Sequence, residues 1–155
     1  MTIAGNSSLT HVSELAQDTN TDPAAIEAAC IELLPEWEDM VPTDQSRLFL
    51  LLAEAIGTDP NRLDAAAELA NEAWQLARED DSIVLAVEAR CAYARFTAHE
   101  CTTFEEYMGG TMKLGFHLLI KFAQLPSDEI DAITEALKKV YAHGVSLIAK
   151  GVLTD

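Results

Sequence analysis

FEEYMGGTMKLGFHLLIKFAQL, residues 104–125, is the most continuously apolar stretch of the chain and the one its other segments need as a partner. Thr102 and Thr103 each stand three residues before a glutamate, Glu105 or Glu106. That is the spacing of a capping box, in which the hydroxyl accepts from a backbone N–H and the carboxylate reaches back. Two acids in a first turn also suit the positive end of the helix dipole. Pro126 cannot continue a helix and drives Leu125 out of the α region, so the pattern predicts a buried central helix over 104–125. From Leu114 onward the apolar residues run all the way round, relieved by His117, Lys121 and Gln124. The run is too short and too polar for a membrane span, which needs about 20 apolar residues. Gly109, Gly110 and Gly115 each cost a helix about 1 kcal/mol relative to alanine. Three explanations stand: a break at 109–110, close approach of a neighbouring helix, or room for a ligand.

Outward from this stretch the chain reads as amphipathic helices. Ile83 to about His99 carries Val84, Val87, Cys91, Ala94 and Ala98 on one side and Leu85, Ala89, Tyr93 and Phe96 on another, which predicts a sandwiched helix. Pro60 to about Arg78 presents Leu63, Ala66, Ala70, Ala73, Trp74 and Ala77, an alanine stripe that lets a neighbour come close. Thr43 or Asp44 starts a further helix that Gly57 ends. Asp22-Pro23 opens another, an N-cap acceptor followed by proline at the first helical position. Pro35 stops it, and Trp37, Met40 and Val41 form a connector whose tryptophan packs back onto the core. Ser8 caps a short first helix after a loose terminus at residues 1–7. Ser127 caps the last helix, with Ile130, Ile133, Leu137, Val140, Gly144 and Leu147 as its packing stripe. No strand pattern appears, so the expected fold is a single-domain, all-α, antiparallel bundle of six or seven helices over residues 8–155.

With 26 acids against 10 bases the chain has a net charge of −16, which disfavours nucleic-acid phosphate and anionic membranes as direct partners. The imbalance is uneven: residues 1–61 hold eleven acids and one base, Arg47, for a net of −10. Cys30, Cys91 and Cys101 form no CxxC pair and no disulfide framework, which fits a reducing cytoplasm. The first residues show neither a basic region nor an apolar run of the signal-peptide kind.

Motifs for chemistry are absent or incomplete. The tetratricopeptide positions do not fall into any repeat of about 34 residues. None of His11, His99, His117 and His143 has a glutamate three residues before it, as ferritin-like carboxylate sites require. Cys91, His99 and Cys101, with Glu100, are the nearest approach to a zinc set, but no fourth ligand is evident. Arg95 and His99 stand too close in sequence for the Arg–His motif of helical ribonucleases. TFEEYMGG, residues 103–110, is locally similar to a helix start of isoprenoid and terpene synthases, and Asp80-Asp81 to their aspartate-rich motif. Val84 nevertheless occupies the position where DDxxD needs its last acid. No cofactor or metal follows from these patterns.

The composition therefore points to a non-enzymatic protein that binds another, basic protein, in the manner of an adaptor, inhibitor, immunity protein or chaperone. Its contact residues would be Glu32, Glu36, Trp37, Glu38, Asp39 and Asp44, with Trp37 as apolar anchor and the acids at the rim. In a variant, the acids imitate nucleic-acid phosphates. An alternative is a small-molecule binder or enzyme with an apolar pocket formed by Tyr93, Arg95, Phe96, Tyr107, Met108, Met112, Phe116 and His117. A third reading is a subunit that buries an apolar face in a homo-oligomer.

Overall fold

The structure, a computed structural model, describes residues 2–109, 111 and 124–155. Its helices are α1 (Thr2–Gln17), α2 (Pro23–Leu33), α3 (Pro42–Ile56), α4 (Leu63–Glu79), α5 (Ile83–Phe96), the short helical run α6 (104–109) and α7 (Ser127–Ala149). Turns of 3₁₀ helix occupy Leu34–Asp39, Pro60–Arg62 and Ala98–Glu100. Among the described residues there is no strand, only an isolated bridge between Thr103 and Thr154. The architecture is the expected all-α bundle. Among the described residues no helix is long and apolar enough to cross a membrane.

Local chemistry explains most of the boundaries. Asp22 accepts from the Ala24 N–H at 3.0 Å and Pro23 sits in the first turn, so α2 starts where the Asp-Pro pair requires. Asp59 does the same for Asn61, although the turn it opens is 3₁₀ and α4 proper begins at Leu63. Helix α3 begins one or two residues before Thr43 and Asp44, because Pro42 itself takes the first turn behind Val41. The box before α6 is shifted: Thr103 Oγ1 accepts from the Glu106 N–H at 3.1 Å, while the Glu106 carboxylate accepts from the Thr102 N–H at 3.3 Å. Helix α1 starts at Thr2 rather than near Ser8, and α7 follows Pro126 with no side-chain cap from Ser127.

Helix α5 divides two apolar cores. Its Leu85, Ala86, Ala89, Ala92 and Phe96 join the larger one, made with α1 to α4. Val87, Cys91 and Ala98 of the same segment join Tyr107, Ile133, Val140 and Leu153 in the second. These are the two faces that the sequence separates. The stretch expected to be the central helix is described only at 104–109, 111, 124 and 125, so most of that expectation, with Gly110 and Gly115, lies outside the described residues.

Small side chains set the tightest contacts. Ala66, Ala70, Ala73 and Ala77 are completely buried, which brings α4 against both α3 and α5. Within that contact the fully buried Ser46 hydroxyl donates to the Ala73 carbonyl at 2.7 Å, so this buried hydroxyl is satisfied. In the second core the rings of Phe104 and Tyr107 lie over Gly144, and Tyr107 donates to the Val140 carbonyl at 2.8 Å. The chain closes on this core. Gly151, at φ 77°, turns it back, Leu153 is buried, and Thr154 bonds to Thr102 and Phe104 through the backbone.

Candidate functional site

Two regions combine exposed or accessible chemistry: one is acidic, and the other carries charges of both signs. The first runs from the end of α2 through the Leu34–Asp39 turn into α3. The proline at 35 and the extended Met40 and Val41 stop this segment from continuing α2, and the six-residue 3₁₀ turn leaves Leu34, Pro35, Glu36, Glu38 and Asp39 exposed with Trp37 turned inward. Glu32, Glu36, Glu38 and Asp39 are exposed and Asp44 is half-buried, and none of the five forms an ion pair among the described residues.

Trp37 does not stand out from this face as an anchor. Its ring stacks on Phe49 with centroids 4.9 Å apart and packs against the larger core, and Gln45 donates to its carbonyl at 2.9 Å. The large apolar side chains of this segment that do face solvent are Ile31, 51% exposed, Leu34, 37%, and Val41, 57%. The helical period of α2 predicts Leu34 inward with Ile26, Ala29, Cys30 and Leu33, but the chain leaves α2 for the 3₁₀ turn at Leu34 and exposes it. An acidic rim thus surrounds aliphatic groups and not an indole.

The second region is a cleft of about 400 Å³ between α1, α3, α5 and α7. Leu50, Leu51 and Leu85 supply apolar wall, with Ala132 and Ala136 opposite. Charged side chains come from three helices: Arg47 and Glu54 from α3, Glu88 and Arg95 from α5, and Glu135 and Lys139 from α7. Arg95 pairs with Glu54 through both terminal nitrogens. Glu135 accepts from Lys138 at 3.4 Å. Burial lifts the Glu88 carboxyl above its ordinary range, while Arg47 and Lys139 pull the other way. The Cys91 thiol at the cleft wall is pushed up to about 11 by burial, so it is not a nucleophile at neutral pH.

No family model, curated protein or solved structure matches the chain. The residues themselves are therefore what a functional reading rests on.

Of the side chains expected to line an apolar pocket, Arg95 is the one that reaches the cleft among the described residues. Phe96 is buried in the larger core beside Gly57, and Tyr93 packs on that core under the Arg90 guanidinium, 4.9 Å from the ring centre. Tyr107 and Met108 belong to the second core. Met112, Phe116 and His117 lie outside the described residues. The aromatic stripe is core where it is described, and the cleft is walled by leucine and alanine instead. Sequence reasoning missed Arg47, Glu88 and Lys139 as a group. The available signal was Arg47 itself, the one base in the first 61 residues.

The histidine and cysteines expected nearest to a metal set are not together. Ligand atoms of Asp64, His99 and Glu100 lie within 4.8 Å of one another, all on exposed residues, with His99 Nε2 3.6 Å from Asp64 Oδ1. Cys91 is instead buried in the second core.

Proposed function

We propose that the protein acts by binding another protein of basic character, using residues 31–44 as the contact surface, without catalysis of its own. The observation that carries this reading is the exposure of Ile31, Leu34 and Val41 in a segment whose charges are all acidic. Large aliphatic groups in water gain about 25 cal/mol for each Å² that a partner covers. The surrounding carboxylates speed encounter with a positively charged surface and penalise an acidic one. Free of ion pairs among the described residues, they are available to lysine or arginine across an interface.

Affinity capture at low and high salt, with the wild type and two variants side by side, tests this. Ile31→Ser combined with Leu34→Ser removes the apolar centre, and Glu32→Lys, Glu36→Lys, Glu38→Lys and Asp39→Lys together invert the rim. A stoichiometric basic protein held by the wild type at low salt, and lost from both variants, is the expected result. Partners retained equally by all three proteins would sink the reading. A captured nucleic-acid-binding enzyme that free DNA or RNA displaces would identify the acids as imitators of phosphate.

A further inference from the structure

The geometry of the cleft between α1, α3, α5 and α7 points to a second, independent site: we infer that it binds a small amphipathic monoanion, a carboxylate carried on an apolar body. The sign of the ligand follows from which charges are already answered. Glu54 is paired with Arg95, and Glu135, on the exposed side of α7, makes a contact with Lys138 of the same helix. Arg47 and Lys139 form no ion pair among the described residues, and the one carboxylate left between them is Glu88. Two cations thus face one desolvated acid, in a chain whose net charge is −16. An anion finds a favourable neighbourhood beside Arg47 and Lys139, whereas a cation has acids elsewhere in abundance.

A single negative charge matches the balance better than a double one. One carboxylate can take a two-pronged contact from the Arg47 guanidinium and a point contact from Lys139. A phosphate dianion would face the Glu88 carboxyl with no third free cation among the described lining residues to offset it. Burial of Glu88 favours its protonated form, which lowers the repulsion an incoming carboxylate meets. The body of the ligand is fixed by the rest of the wall. Leu50, Leu51 and Leu85 offer an apolar surface that an inorganic ion would leave uncovered. The volume, about 400 Å³, falls at the lower end of the roughly 300–1,000 Å³ typical of small-molecule sites.

Titration of the full chain with octanoate, followed by calorimetry and by amide chemical shifts, tests the site. Octylammonium serves as the same tail with the opposite charge, and acetate as the same head without a tail. Saturable one-to-one binding of octanoate, with shifts in α3, α5 and α7 and neither control bound, is expected. Arg47→Gln and Lys139→Gln, at exposed positions that leave the cores intact, should each weaken octanoate about tenfold, the loss of one charge-assisted contact. Glu88→Gln should tighten it, and Ala132→Trp, which fills the cleft without touching its charges, should abolish it. Octanoate that fails to saturate, octylammonium that binds as well, or affinity unmoved by the Arg47 and Lys139 changes would each overturn the assignment.

Discussion

The ring of Tyr107 lies on the backbone of Gly144: a Cβ at that position would stand 2.6 Å from Tyr107 Cε1 and 2.7 Å from Phe104 Cε2. The glycine is therefore a seat for two aromatic rings, and the loss of helix propensity it brings to α7 is offset by their packing. Gly144→Ala should destabilise the chain by about 1–3 kcal/mol, the usual cost of overpacking a filled core. Gly109→Ala is the matching control, since a Cβ there meets nothing within 4 Å. It should gain up to about 1 kcal/mol from helix propensity alone. Urea denaturation of both variants checks the opposite signs.

Ser46 makes a similar point between α3 and α4. Ser46→Ala removes the bond to the Ala73 carbonyl and leaves no orphan donor, so it should cost only about 1 kcal/mol. Ser46→Leu drives a large side chain into the alanine stripe and should cost more, about 1–3 kcal/mol or above. A smaller loss for leucine than for alanine in thermal unfolding would mean that the α3–α4 contact is looser than the buried alanines imply.

Two titrating groups shape stability in opposite directions. Burial raises the Glu88 carboxyl above its ordinary 4.5 in the folded chain, so on raising the pH the unfolded chain ionises first and stability is lost through that range. Glu88→Gln should be more stable than the wild type near neutrality, with the difference closing below pH 4.5. Burial, then Arg95 and Lys150, hold His143 below its ordinary 6.5. Here the unfolded chain protonates first as the pH falls, so stability drops from pH 6.5 downward through the lowered value, and His143→Gln should flatten that limb. Denaturant midpoints across pH, compared among the three proteins, read both effects.

The cysteines should separate by accessibility. Cys30 and Cys91 are buried, with thiols pushed up to about 11, while Cys101 is only half-buried. Brief treatment of the native chain with iodoacetamide at mildly alkaline pH should alkylate Cys101 alone. In denaturant all three should react, as intact mass would show. Early labelling of Cys91 in the native chain would mean that the cleft wall opens.

Leu153 offers a test of how the chain end contributes. Its side chain is almost wholly buried in the second core, beyond the turn at Gly151. Leu153→Ala should cost about 2–5 kcal/mol, as for other large-to-small changes in a packed core. A loss below that, in the same denaturation assay, would show that the tail is held by its Thr102 and Phe104 backbone bonds instead of by packing.

What the sequence determined by itself is what a single helix determines. The two faces of α5, with Val87 and Cys91 on one and Leu85, Ala89 and Phe96 on the other, could be assigned from the 3.6-residue period, and they enter two separate cores. The alanines of α4 and the start of α2 at Asp22-Pro23 were legible for the same reason: each depends on neighbours within a turn or two. The sequence supports two roles for Trp37, packing back onto the core and anchoring a partner, and the tertiary stack on Phe49 selects the first. Tertiary structure also decided that Arg95 meets Glu54, 41 residues away, and that Arg47, Glu88 and Lys139 converge from three helices. Charge on an exposed helical face leaves no period to read, and its partners depend on how the helices are rotated and set side by side. Both candidate sites are of that kind: the acidic residues were visible in the sequence, but the exposure of Ile31, Leu34 and Val41 around them, and the cations of the cleft, exist only once the helices have packed.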